Sequence, residues 1–200
     1  MTDEPKLNSE LDEFGRVGYG HIARYSPAIL AVVMVVAIIF IALSSRDKET
    51  NTRDIIGEPA PALSMTNFDG SATTTLASLS GDVVVLNFWA AWCEPCKTEM
   101  PAFEAVHQSA APDVRIIGVD IKNDQVENAT QLLTDTGVSY LIVRDSGGTH
   151  PVYGPIEQAL GLGGSYPVTV FIRPDGVVDR VSVGPMNEAD IRGAIDDARS

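Results

Sequence analysis

An unbroken apolar run near the N-terminus limits what this chain can fold into. Residues 28–43 are sixteen consecutive apolar side chains, and residues 25–45 carry no charge. A helix of roughly 20 residues spans the hydrocarbon core of a bilayer. Ser26 and Pro27 suit the first positions of a helix, and Tyr25 suits a membrane interface. We therefore predict a single transmembrane helix over residues 25–45, in contact with lipid.

Two other interpretations of this run stay open: a buried core helix, and the apolar region of a cleaved signal peptide. Ala42-Leu43-Ser44 would serve as a cleavage site. The preceding segment, residues 1–24, is long and acidic, unlike the short basic start of a signal peptide. Because basic residues flank both ends of the run, charge alone leaves its orientation undecided.

Composition narrows the class of protein. The 200 residues include 27 acidic and 14 basic side chains, a formal net charge of −13. Such an excess of negative charge repels phosphates, which argues against a nucleic-acid partner. Only two cysteines occur, Cys93 and Cys96, so one chain cannot build a four-cysteine zinc site. Residues 46–58 read as a polar linker and residues 59–200 as a folded domain.

Within the domain, short runs rich in β-branched residues alternate with helix-like segments. The predicted strands are 83–88, 114–119, 140–143, 168–172 and 177–183, and the predicted helices are 93–110, 125–136, 156–160 and 187–199. A small hairpin is expected at 62–75, and Pro174-Asp175-Gly176 should join the last two strands as an antiparallel pair. Asp124 and Asn187 are expected to cap the helices that follow them. The order predicts an α/β fold with a mixed central sheet flanked by helices.

The clearest chemistry follows the first central strand, where the chain reads Trp92-Cys93-Glu94-Pro95-Cys96. Two cysteines three positions apart at a helix start can close into a disulfide, and the helix dipole stabilises a thiolate on the first. Cys93 is therefore the expected nucleophile, and Cys96 is placed to attack the mixed disulfide and release the substrate. Glu99 lies one turn further along the same side and could hold the proton of Cys96.

Each assignment has a structural alternative. The cysteines could be half of a zinc site completed by His107, His150 or a second chain. They could also form a structural disulfide, although a bridge between adjacent turns of one helix constrains little. Glu99 could be an ordinary solvated helix residue. No Pro-x-x-x-Thr-x-x-Cys pattern precedes either cysteine, which disfavours a thiol peroxidase.

From about residue 57 to 197 the chain resembles the thioredoxin superfamily, and within it the membrane-tethered TlpA/ResA-like thiol-disulfide oxidoreductases. The motifs are GEPAP at 57–61, NFWAAWCEPCKTEMP at 87–101, SYPVTVFIRPDG at 165–176, and Gly184. The resemblance implies a cis Tyr166-Pro167 bond beside the disulfide, with the backbone of Tyr166 available to pair with an extended substrate segment. We expect Trp92, Tyr166 and Pro167 to be the substrate-binding residues. The resemblance also implies that Pro101 kinks the active-site helix and that Glu99 occupies a buried acid position.

Departures from the pattern are informative. Asn87 stands where thioredoxin has a buried aspartate, so a proton relay must use Glu99 or water. Residues 121–165 match the helical insertion of this branch, but 146–164 is unusually rich in glycine, and its part in substrate recognition stays open.

The resemblance further implies an extracytoplasmic redox domain that reduces protein disulfides, such as those of apocytochrome c during cytochrome c maturation. Electrons would come from a membrane thiol carrier, and the exchange needs no metal or organic cofactor. Glu94 next to Cys93 disfavours the thiolate, which favours a reductant. An oxidising or isomerising enzyme, and a binding module with secondary redox activity, are the alternatives.

Overall fold

The computed structural model describes residues 29, 31–37 and 55–200. Residues 31–37 are helical, and their side chains are exposed. The predicted N-terminal segment 1–24, both ends of the predicted membrane helix and most of the predicted linker lie outside the described residues. Within the described ranges, no helix has the length and apolar character that a membrane crossing requires.

Residues 55–200 contain the elements that the sequence predicts. The strands are β1 (Ser64–Thr66), β2 (Thr73–Thr75), β3 (Val83–Trp89), β4 (Val114–Asp120), β5 (Leu141–Arg144), β6 (Val168–Ile172) and β7 (Val178–Val183). The helices are α1 (Glu94–Ser109), α2 (Val126–Thr136), α3 (Pro155–Ala159) and α4 (Glu188–Ala198), with a 3-10 turn at Leu76–Leu79. The expected small hairpin is present as the antiparallel pair β1 and β2. The α/β prediction is confirmed, with ends shifted by a residue or two.

β3 lies at the centre of a five-stranded sheet in the order β5-β4-β3-β6-β7. It pairs in parallel with β4 and antiparallel with β6, and all seven of its residues are buried. Val84 and Leu86 belong to one apolar cluster, and Val83 and Val85 belong to the other. Because alternate side chains of a strand point to opposite faces, both faces of β3 are covered. The core therefore holds the end of β3 in place, and with it the start of the loop that leads to the cysteines.

The last residues of the predicted linker 46–58 are hydrogen-bonded to β7. Gly57 donates its N–H to the Val178 carbonyl at 2.8 Å, and Val178 donates to the Glu58 carbonyl at 3.0 Å. These bonds occupy backbone groups at the start of β7, an edge strand whose free groups would otherwise face solvent.

Asp124 does not cap α2 as the sequence pattern predicts. The N-cap is Gln125, whose side chain makes no capping bond. The buried Asp124 carboxylate accepts the N–H groups of Ala91 and Gln125 instead, so it ties the start of the insertion to the loop before the cysteines. The prediction for Asn187 is confirmed, because its side chain accepts the Asp190 N–H at 3.0 Å.

The glycine-rich segment permits a close approach to Asp145. A Cβ atom on Gly154 would lie 2.2 Å from the Asp145 carboxyl carbon, so only glycine fits there. The Asp145 carboxylate accepts the N–H groups of Ile156 and Glu157 at 2.9 and 2.8 Å. This buried carboxylate therefore accepts hydrogen bonds from N–H groups in the first turn of helix α3.

Candidate active site

The two cysteines lie where β3 ends and α1 begins. Cys93 is the N-cap of α1, and its Sγ accepts the Cys96 N–H at 3.3 Å. The residues form a disulfide with Cα atoms 5.3 Å apart. Cys93 is 4% exposed and Cys96 is fully buried. Because the positive end of α1 faces Cys93, the helix stabilises negative charge on its sulfur after reduction.

The zinc alternative needs further ligands beside the cysteines. Within residues 55–200, no three His, Cys, Asp or Glu side chains are grouped as a metal site. His107 packs edge-on against Tyr140, and His150 stacks on Tyr153.

Glu99 is buried in α1, so the solvated-residue alternative is wrong. Its Oε1 accepts Asn87 Nδ2 at 2.7 Å, and its Oε2 accepts the Met186 N–H at 3.0 Å. Burial raises the pKa of Glu99 to about 7, and the two hydrogen bonds oppose this rise. A carboxyl group that titrates near neutral pH can both accept and return a proton.

Asn87 holds this carboxyl group from the central strand. Its Nδ2 also donates to Thr169 Oγ1 at 3.2 Å, across the β3–β6 pairing in which Asn87 faces Thr169. The amide therefore bridges Glu99 and Thr169 without carrying a charge of its own. Asn87 orients Glu99 and, as an amide, cannot itself accept a proton at neutral pH.

An exposed aromatic surface lies beside the disulfide. Trp92 directly precedes Cys93 and is 55% exposed. Its ring meets the Tyr166 ring edge-on, with centroids 6.0 Å apart. The Tyr166-Pro167 peptide bond is cis, as expected. Trp92 and the loop before β6 are therefore brought together. Pro101 lies within α1 without ending it, and the kink stays a prediction.

Sequence reasoning missed a buried ion pair at the same end of the sheet. Asp120, fully buried, pairs in the sheet with Trp89 of β3 and Arg144 of β5. The Arg144 guanidinium donates to its carboxylate and to the Asp124 carbonyl. Burial raises the pKa of Asp120 to about 8, although Arg144 opposes the rise. The sequence contained a signal for this pair, because Asp120 is the last residue of β4 and Arg144 is the last residue of β5. Neighbouring parallel strands end at the same edge of a sheet, so their last residues lie close together.

The fold and this cysteine pair define a class of protein, a thioredoxin-like thiol-disulfide oxidoreductase. A model described as the AhpC/TSA family matches residues 56–181. The chain therefore belongs to the AhpC/TSA family.

Individual relatives agree with that class. The chain is 26% identical to the thiol-disulfide oxidoreductase ResA of Oceanobacillus iheyensis, over 84% of this chain and 85% of that protein. It is 30% identical to the thiol:disulfide interchange protein DsbE of Pseudomonas fluorescens, over 80% of this chain and 84% of that protein. A thioredoxin family thiol:disulfide interchange protein from Chlorobium tepidum is similar in structure, with a TM-score of 0.56 and 29% sequence identity. The match covers 70% of this chain and 94% of that protein. The predicted TlpA/ResA-like resemblance is confirmed, and the protein is a thiol-disulfide oxidoreductase of the ResA/DsbE type.

The buried Glu99 predicts a pH dependence of stability. Its pKa is about 7 in the folded protein against an ordinary 4.5, so between these values the folded state binds more protons than the unfolded chain. This group therefore lowers the free energy of unfolding as the pH rises through that interval. Relative to Glu99→Gln, we expect the free energy of unfolding of the wild type to fall by about 3 kcal/mol between the unfolded and the folded pKa of Glu99.

Urea denaturation of both oxidised proteins at several pH values measures this difference. The exposed Glu127→Gln substitution is the control and should follow the wild type. Asp120 is present in all three proteins and cancels. Parallel curves for wild type and Glu99→Gln would contradict the assignment.

Proposed function

We propose that this protein is a membrane-anchored reductant of disulfides in extracytoplasmic proteins. The observation that carries the proposal is the Cys93–Cys96 disulfide at the start of α1, with a buried carboxyl group one turn behind it. Cys93 is the nucleophile, Cys96 the resolving residue and Glu99 the proton acceptor.

The reaction is a two-electron exchange between sulfur atoms. The Cys93 thiolate attacks one sulfur of a substrate disulfide, and the other substrate sulfur leaves and takes up a proton. Cys96 then passes its proton toward Glu99 and attacks Cys93, which releases the second substrate sulfur as a thiolate. The substrate gains two electrons, and the protein is left with the Cys93–Cys96 disulfide. A donor dithiol reverses these steps and restores the reduced protein.

Trp92, Tyr166 and Pro167 are proposed to bind the substrate. Their place beside the disulfide supports this role, as does the exposed Trp92 ring. Within residues 55–200 the backbone N–H and C=O groups of Tyr166 make no hydrogen bond to other backbone groups. An extended segment could pair with these groups while its disulfide lies at Cys93.

Glu94 supports the reducing direction. Its side chain is 81% exposed and pairs with Lys97 at 3.0 Å, so Lys97 partly offsets its charge. An anion beside Cys93 disfavours the thiolate, and a less stable reduced form is a stronger reductant. Apocytochrome c as a substrate and a membrane thiol carrier as the donor rest on the likeness to ResA and DsbE.

The exposed apolar residues of the N-terminal helix support an anchor. Val32, Val33 and Met34 are 59 to 63% exposed. A helix that is apolar on all sides is stable in lipid rather than in water. We propose that residues 25–45 cross the membrane once and that residues 59–200 lie outside the cytoplasm.

The division of labour between the cysteines predicts a trapped intermediate. In cells, Cys96→Ser should accumulate mixed disulfides through Cys93, because the resolving thiol is missing. Non-reducing gels detect them, and iodoacetamide should label the Cys93 thiol of the folded Cys96→Ser protein. The Cys93→Ser/Cys96→Ser variant is the control. If that variant retained the same partners, the protein would be a binding module.

The proposed role as a reductant predicts the redox potential. We expect a value below about −200 mV, in the lower part of the dithiol range from about −270 to −120 mV. Glu94→Gln should raise it by no more than about 20 mV, because an exposed charge contributes less than about 1 kcal/mol. Equilibration with glutathione measures both proteins, with Glu188→Gln as the control. A wild-type value near −120 mV would make the protein an oxidant.

The anchor predicts the location of the C-terminus. A reporter that folds only outside the cytoplasm should be active when fused after Ser200. The same fusion without residues 25–45 should be inactive, since nothing would carry it across the membrane. Activity only from a cytoplasm-dependent reporter would invert the proposed orientation.

A further inference from the structure

Tyr166 is tied by its hydroxyl group to a buried carboxylate that the exchange mechanism does not use. The hydroxyl donates a hydrogen bond to Glu157 Oε1, and Glu157 is completely buried. Burial, followed by the bond to Glu157, raises the pKa of Tyr166 above its ordinary value. The hydroxyl therefore stays protonated and keeps donating.

Glu157 is itself held rigidly inside the glycine-rich insertion. Its Oε2 accepts the Gly154 N–H at 3.0 Å, and its own N–H donates to the Asp145 carboxylate at 2.8 Å. Gly154 packs too closely on Asp145 for any side chain. Lys122 adds bonds to the carbonyl groups of the preceding loop. A carboxylate fixed through both its side chain and its backbone is a firm anchor for a partner.

The Tyr166 ring is thus restrained at both ends. Glu157 holds its hydroxyl group, while Pro167, the next residue, accepts the Gly184 N–H at 2.9 Å. Between these points the ring packs against Trp92 in a T-shaped arrangement. A free tyrosine side chain would adopt other rotamers and would change the surface beside the disulfide.

We propose that Glu157 is a specificity-determining positioning residue, which fixes the Tyr166 ring against Trp92 so that an extended protein segment can bind beside Cys93. This inference rests on the proposed substrate-binding role of Tyr166. A small disulfide needs only the sulfur of Cys93, whereas a protein substrate also lies along Tyr166 and Trp92. The hydrogen bond between Tyr166 and Glu157 therefore affects the binding of protein disulfides and leaves the sulfur chemistry unchanged.

The test uses the full chain in detergent, reduced beforehand and mixed with insulin or with bis(2-hydroxyethyl) disulfide. Single-turnover rates at increasing substrate concentration separate half-saturation from the maximal rate. Tyr166→Phe removes one hydroxyl group, and Glu157→Leu removes both carboxylate oxygens at a similar side-chain volume. Tyr153→Phe removes a neighbouring tyrosine hydroxyl and is the matched control.

We expect both variants to raise the half-saturation concentration for insulin about fivefold, as for the loss of one hydrogen bond. The maximal rate, and all rates with the small disulfide, should equal those of the wild type and of Tyr153→Phe. The double variant should be no worse than either single one, because both remove the same contact.

Unchanged insulin kinetics in Tyr166→Phe would overturn the inference, and so would equal losses with both disulfides. If Glu157→Leu fails to fold, Tyr166→Phe decides alone, since it keeps every hydrogen bond of Glu157 except one. Tyr166→Ala tests the substrate-binding role of Tyr166 separately from its hydrogen bond to Glu157. If Tyr166→Ala weakens insulin binding while Tyr166→Phe does not, only the proposed positioning role of Glu157 is wrong. If Tyr166→Ala also leaves insulin binding unchanged, the proposed role of Tyr166 in substrate binding is wrong.

Discussion

The Cys96 N–H that donates to Cys93 Sγ at 3.3 Å fixes where the chemistry of this protein can occur. It makes Cys93 the N-cap of α1, so a sulfur atom occupies the place where serine or aspartate usually accepts the free N–H groups of a helix. Pro95 suits this first turn because it has no N–H to satisfy. Since β3 is buried along its whole length, the start of α1 is held by the core. The position of the reactive sulfur is thus a consequence of packing on both faces of the sheet.

Three buried acidic side chains of the folded domain are stabilised in different ways. Asp120 has the cationic partner Arg144, and Glu157 accepts a tyrosine hydroxyl group and a backbone N–H. Glu99 accepts only neutral donors, an amide and a backbone N–H. Burial raises the pKa of Glu99 more than these donors lower it, just as burial raises the pKa of Asp120 even beside a cation. This explains why Glu99 can change charge near neutral pH, and why its position behind Cys96 matters chemically.

Much of the fold was predictable because its signals are local. Runs of β-branched residues mark β3, β4 and β6, and the spacing of Cys93 and Cys96 marks the start of α1. The contacts that were missed join distant segments. Asp124 reaches Ala91, 33 residues away in sequence, so a capping pattern beside α2 could not reveal its partner. In the sequence, Glu157 looks like an ordinary solvated residue of a short helix. Only the structure shows that it is buried and accepts the Tyr166 hydroxyl group.

Asn87 shows how one amide simplifies the proton chemistry. Its Nδ2 lies 2.7 Å from Glu99 Oε1, and a carboxylate there would force two like charges together, so that the pair would share a proton and titrate jointly. The amide donates to Glu99 at every pH and leaves a single titrating group at this contact. A donor favours the charged form of Glu99, whereas a second acid would favour the neutral form. Asn87 therefore keeps Glu99 available as the acceptor that we propose for the Cys96 proton, in the proposed step that releases the substrate.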